Sequence, residues 1–165
     1  MVLVFNFGGQ YAHLIARRVR DLGVKSELVS PDITQEEIKN KKPQALIFSG
    51  SPISCYEKNA PKVDKKIYEL GLPILGICYG LQLMTHQLGG KVTSHESKQF
   101  GKTRLFIKKS DLFEGLAKEE TVWFSHGDQA DKLPKGFRVI GSTKNARIAA
   151  IENTSQKLYG IQFHA

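Results

Sequence analysis

LPILGICYGLQLMTHQL, residues 72–88, is the stretch from which the fold is read. Apolar residues run up to Ile77, a cysteine follows at Cys78, and glycines flank it at Gly76 and Gly80. From Leu81 onward apolar side chains return at helical spacing. The stretch is therefore a strand, a sharp turn and a helix, with Cys78 on the turn. An α/β sheet presents a nucleophile this way, because small residues on both sides let the backbone bend tightly and lift the side chain into a cleft. The positive end of the following helix then favours a thiolate. A buried core position fits the same cysteine, since free cysteine is among the most buried residue types. What the rest of the chain offers as base and oxyanion donors has to separate the two.

Upstream of this turn, strand and helix alternate. Residues 1–7 read as a strand, GGQY (8–11) as a turn, and 11–22 as a helix with Leu14, Ile15, Val19 and Leu22 at helical spacing, ending at Gly23. VKSELVS (24–30) is a second strand, and ITQEEIKNKK (33–42) a short helix in which Thr34 and Glu37 form a capping box. QALIFSG (44–50) is almost wholly apolar, as a buried parallel strand should be, and a helix is expected at about 61–70 with Val63, Ile67 and Leu70 on one face. The alternation predicts an open, mostly parallel α/β sheet flanked by helices.

Downstream of Gly89 and Gly90 the pattern changes. KVTS, TRLFIKK, TVWFSH, FRVIGST, RIAAIEN and KLYGIQF read as strands joined by short turns, with a small turn or helical piece at SDLFEGL (110–116). Antiparallel additions to the sheet, or a small side sheet, are expected there. The sequence stops directly after a strand, where a helix covering the last face of the sheet is expected, so a truncated C-terminal edge is expected for a domain spanning 1–165.

Composition narrows the function classes. A chain of 165 residues, 41% hydrophobic and 24% charged, makes one domain with a full core. No apolar run approaches the roughly 20 residues that span a bilayer, and MVLVFNFGG turns polar too soon for a signal peptide. Two cysteines, Cys55 and Cys78, form no disulfide framework, and a free thiol fits a reducing, cytoplasmic compartment. The net charge is +8, but its lysines are scattered, without aromatic interleaving or zinc-finger spacing. A basic face turned to an acidic partner accounts for the charge better than nucleic acid does, and no metal site is expected.

A cysteine nucleophile needs a base, usually histidine. His13 and His86 fall within helices and His95 in a polar stretch, which leaves His126 after the strand WFS and His164 after YGIQF. Both lie at strand ends, and the residues alone leave both open. An oxyanion hole needs backbone N–H groups aimed at a developing negative charge. Tyr79, directly after Cys78, offers one, and the SGSP turn at 49–52, closing the neighbouring strand, offers another.

These residues together carry a resemblance. ILGICYGLQL is similar to the nucleophile motif of the class I (triad) glutamine amidotransferases, SGSP resembles their SGGP loop, and GIQFH resembles the start of their QFHPE motif. NFGGQYAHLIARRVRDLGV, VWFSHGD and NARIAAIENTSQKLYGIQFH are most similar to the branch of that family whose ammonia is used to aminate XMP. The resemblance implies a flavodoxin-like topology and a glutaminase with Cys78 as nucleophile and His164 as base and acid. It implies oxyanion amides from Gly50, Ser51 and Tyr79, and substrate contacts from Gln82 and the SHGD stretch of Ser125, His126, Gly127 and Asp128. It implies glutamine as substrate and, as partner, an ATP-pyrophosphatase (synthetase) domain or subunit. ATP and magnesium are expected only in that partner, with no cofactor in this domain. Another amidotransferase pathway, of the anthranilate or aminodeoxychorismate type, would share the Cys and His motifs. A different Cys-elbow hydrolase, or an impaired binding or regulatory domain on the same fold, are the further alternatives.

The chain departs from the family's pattern at four places. Ser51 stands for the second glycine of SGGP, and NFGGQY replaces the usual DFGSQY, so that Asn6 stands for Asp and Gly9 for Ser. KQFG (98–101) replaces REYG or REFG. Ala165 follows His164 in place of proline, and the glutamate two beyond the histidine is absent from the sequence. That carboxylate would fix the histidine's tautomer, so weak or no glutaminase activity is expected of the 165-residue chain.

Overall fold

A computed structural model describes residues 1–164, apart from the side chains of residues 95–99 and 126. Expectations resting on His95, Lys98, Gln99, the His126 side chain and Ala165 lie outside the described residues. The strands are β1 (Val2–Phe5), β2 (Ser26–Val29), β3 (Ala45–Phe48), β4 (Ile74–Ile77), β5 (Lys91–Ile107), β6 (Glu119–Lys132), β7 (Arg138–Ser142), β8 (Ala150–Asn153) and β9 (Leu158–Ile161). They form one sheet in the order β2-β1-β3-β4-β9-β8-β7-β5-β6. The pairs from β2 to β9 are parallel, and those from β9 through β8, β7 and β5 to β6 are antiparallel. The α-helices are α1 (Ala12–Asp21), α2 (Gln35–Lys41) and α3 (Tyr79–Gln87). The mixed sheet expected from the sequence is present, and the antiparallel strands extend the parallel sheet itself.

One face of the sheet is closed by α2, α3 and a 3-10 segment at Lys65–Glu69 over a core that includes Phe5, Ile38, Phe48, Ile67 and Met84. The capping box of α2 forms as expected: the Glu37 N–H donates to Thr34 Oγ1 at 3.2 Å and the Thr34 N–H to Glu37 Oε2 at 2.8 Å. The helix expected at 61–70 is shorter than the sequence pattern predicts. Asp64 accepts from the Lys66 N–H at 3.0 Å and starts only the 3-10 turn, which still buries Ile67 and Tyr68. The opposite face carries a second core around Leu105, Phe124, Ile140 and Phe163.

Helix α1 forms as expected, but not all of its apolar residues face the sheet. It buries Ala12 and Ala16, whose small side chains allow close approach, while Leu14 and Leu22 are exposed. With Ile15, Val19, Ile77, Trp123 and Ile161 these leucines line an apolar groove of about 530 Å³. In the antiparallel half, KVTS and TRLFIKK belong to one continuous strand, β5, whose register with β6 shifts between Ser94 and Gln99. The SHGD stretch, expected at a strand end, lies inside β6 opposite that irregularity.

Candidate active site

The five parallel strands point their C-terminal ends toward one rim, and the loops that leave β1, β3, β4 and β9 meet there. Cys78 follows β4 directly. Its φ of +54° and ψ of −104° place a residue with a side chain in a region that L-residues rarely occupy. Two close approaches hold it there. A Cβ on Gly76 would lie 2.5 Å from the Gly80 carbonyl carbon, and one on Gly80 would lie 2.4 Å from the Phe48 carbonyl oxygen. Only glycine at both positions lets the first turn of α3 pack on β3 and β4. The Cys78 N–H donates to the Ile161 carbonyl at 2.8 Å, which ties the turn to β9.

Cys78 is 7% exposed. Burial pushes its thiol up to about 11, against the lowering effect of the Tyr79 N–H at the start of α3 and of the Gln162 amide. The sequence predicts a thiolate favoured by the helix end; here the desolvation cost outweighs that effect. Cys78 is therefore a thiol at neutral pH. Cys55 lies fully buried in the core, its thiol pushed up to about 12 by burial, and does not line the rim cavity.

His164 leaves β9 and is held by an isolated antiparallel bridge. Its N–H donates to the Trp123 carbonyl at 2.8 Å, and its own carbonyl accepts from the Trp123 N–H at 3.2 Å. The imidazole stands against the Tyr11 ring, centroids 4.9 Å apart. Burial keeps the ring below its ordinary pKa, so it is neutral and able to accept a proton at neutral pH.

Cys78 and His164 line a common cavity of about 370 Å³ with Gly8–Tyr11, Gly50–Pro52 and Ser125. Of the residues expected at the site, the structure brings Cys78, His164, Gly50, Ser51 and Ser125 to this cavity. Tyr79 contributes its N–H beside the thiol while its side chain points into the core, its hydroxyl donating to the Pro61 carbonyl at 2.5 Å. Gln82 is not among the lining residues. It is buried behind Cys78, where its Nε2 donates to the Asp128 carbonyl at 3.0 Å and to Gln162 Oε1 at 3.3 Å. Gly127 and Asp128 also stand off the cavity, and the Asp128 carboxylate accepts from the Tyr56 hydroxyl at 3.1 Å. His13 and His86 are exposed on their helices.

Gln162 is a site residue that sequence reasoning does not single out. It is fully buried, and its Nε2 donates to the Cys78 sulfur at 3.6 Å, which links the nucleophile through Gln82 to β6. The available signal is a lone amide at the end of the apolar run YGI, because a buried amide must find partners. Among the described residues no group of three or more His, Cys, Asp or Glu side chains is placed to hold a metal ion, and no helix is long and apolar enough to cross a membrane.

Comparison with known proteins places this geometry. Residues 3–165 match the family "Glutamine amidotransferase class-I". The chain is 57% identical over 164 residues to a GMP synthase [glutamine-hydrolyzing] of Aquifex aeolicus and 52% identical over 164 residues to that of Caldanaerobacter subterraneus, covering 99% of this chain and 32% of each relative. It therefore spans about a third of the length of the curated relatives it matches. Among solved structures, a Thermoplasma acidophilum protein assigned as one subunit of a GMP synthase is 30% identical with a TM-score of 0.87, over 99% of this chain and 82% of that one. With a strained cysteine and a neutral histidine on one cavity and a family match over nearly its whole length, the chain belongs to the class I glutamine amidotransferases.

Proposed function

We propose that this chain is the glutaminase part of a GMP-forming synthetase, hydrolysing the side-chain amide of glutamine and supplying the ammonia that aminates XMP. The observation that carries the glutaminase half is the cavity that joins Cys78, His164 and the Gly50–Ser51 loop. The XMP half is supported by the identity to the GMP synthases of Aquifex aeolicus and Caldanaerobacter subterraneus.

In this mechanism His164 takes the Cys78 proton as the sulfur attacks the amide carbon. The C–S bond forms, and the carbonyl electron pair moves to oxygen, which receives the N–H groups of Tyr79 and Ser51. Collapse of the tetrahedral species breaks the C–N bond, and His164 returns its proton to the leaving nitrogen as ammonia departs. Water then attacks the γ-glutamyl thioester with His164 again as base, the C–S bond breaks, and the proton returns to Cys78. The net change is glutamine and water to glutamate and ammonia, which needs no cofactor in this domain. ATP and magnesium belong to the ATP-pyrophosphatase (synthetase) partner, which activates XMP, and the setting is the cytoplasm.

Glutamine labelled with ¹⁵N in the side chain tests both halves. The full-length protein, given XMP, ATP and magnesium, is expected to release labelled ammonia and to place the label in GMP. Labelled ammonia without labelled GMP leaves a glutaminase of another pathway. No release from glutamine overturns the reading altogether.

A further inference from the structure

Two of the chain's departures from its family's pattern, Gly9 after β1 and Ser51 after β3, meet in space. The Gly9 N–H donates to the Gly50 carbonyl at 3.2 Å. A Cβ built on Gly9 would lie 2.4 Å from that carbonyl oxygen, 2.7 Å from its carbon and 3.3 Å from the Ser51 nitrogen. Gly9 therefore sits directly against the Gly50–Ser51 peptide unit.

The direction of this peptide follows from the sheet order, in which β3 lies between β1 and β4. The Gly50 carbonyl is aimed at the β1 loop. In a trans peptide the N–H of the next residue points the opposite way, so the Ser51 N–H is aimed toward the β4 loop that carries Cys78. A turned peptide would instead present a carbonyl oxygen to the thiol, an acceptor where developing negative charge needs a donor. Ser51 has little freedom to compensate. Its Cβ restricts the backbone relative to glycine, and its Oγ accepts from the Ile53 N–H at 3.3 Å.

We propose that Gly9 is a positioning residue for the oxyanion hole and forms one unit with Ser51: the Gly9 backbone seats the Gly50 carbonyl, which turns the Ser51 N–H to the nucleophile. The missing side chain at position 9 is what allows a side chain at position 51. This inference rests on the glutaminase reading above.

The test is a double-mutant cycle in the full-length protein with G9S, S51G and the pair. Three quantities are read: kcat and KM for glutamine, the rate at which iodoacetamide alkylates Cys78, and the thermal midpoint. Alkylation needs the thiol but no oxyanion donor. G9S is expected to lower kcat by about 10²-fold, the size of losing one oxyanion donor, with KM and the alkylation rate little changed. Adding S51G to G9S is expected to recover at least about tenfold of that loss, because glycine at 51 lets the peptide reseat, a coupling of about 1.4 kcal/mol. S51G alone is expected to cost far less than G9S. A G9S enzyme with wild-type kcat overturns the inference, as does a loss that S51G leaves unrepaired or one that alkylation and the midpoint share in full. A wild-type protein that releases no ammonia from glutamine overturns the glutaminase reading and this inference with it.

Discussion

The parallel and antiparallel halves of the sheet reach the same cavity by different means. The parallel half delivers its residues at strand tips, where chain direction alone gathers the loops after β1, β3, β4 and β9. The loops after β1, β3 and β4 are announced locally by glycines, as at Gly76 and Gly80. The antiparallel half delivers Ser125 to the cavity and the Trp123 backbone to His164 from the middle of β6, and nothing local marks them; register with β5 and the bridge to His164 put them there. Chemistry therefore belongs to the tips, while orientation of the base belongs to the hairpin. Substitutions in the two halves should fail in different ways.

The most severe loss is expected at the parallel tip. Cys78→Ala should reduce glutamine-dependent ammonia release to background, a loss on the order of 10⁴-fold or more for a nucleophile, while glutamine binding measured by calorimetry persists. Residual turnover above background would place the chemistry elsewhere. Next comes Gly80→Ala, whose Cβ would press on the Phe48 carbonyl. Overpacking there should cost about 3 kcal/mol in denaturant unfolding and displace the Cys78 turn, so activity falls with stability. An unchanged unfolding midpoint would show that the turn has room it lacks here.

The antiparallel half should give a smaller and different signature. Trp123→Pro removes the N–H that donates to the His164 carbonyl; because that N–H points to His164 and away from β5, the β5–β6 ladder keeps its own bonds. Loss of one hydrogen bond of about 1 kcal/mol should lower kcat/KM by roughly fivefold. The pH profile should move as well. In the wild type His164 must be neutral to act, and burial holds its pKa below the ordinary value. Activity is therefore lost only as pH falls through that lowered value. A more solvated ring in the variant should shift the acid limb upward, and an unmoved limb would separate the bridge from the base. The mildest change is Thr34→Ala at the α2 cap, far from the rim. It should cost about 1 kcal/mol of stability with kcat unaltered, and a change in kcat would mean that the parallel half does not confine its chemistry to the tips.

Much of the parallel half is legible in the sequence because its signals are local. The cysteine turn, the SGSP loop and the Thr34–Glu37 cap each follow from a few adjacent residues and their backbone requirements. The same local reading overextends the helix at 61–70, and it does not reveal that Leu14 and Leu22 are exposed on α1, because periodicity counts apolar positions without knowing which of them meet the sheet. It ends a strand at SHGD, within what is one long strand, β6, since the register of β5 on β6 is a long-range property.

Which atoms can react is written into short stretches of the chain: a thiol between two glycines, a histidine at a strand end and backbone amides beside glycine or serine. Their states and directions come from the folded molecule. Burial makes Cys78 a thiol and His164 a neutral base, since desolvation depends on what packs around a group and not on its neighbours in sequence. The order of strands decides which loops face each other, and it brings the Gly9 N–H onto the Gly50 carbonyl. Residues 72–88 thus specify the cysteine turn, while the groups that share its cavity come from segments as far away as Gly9 and His164.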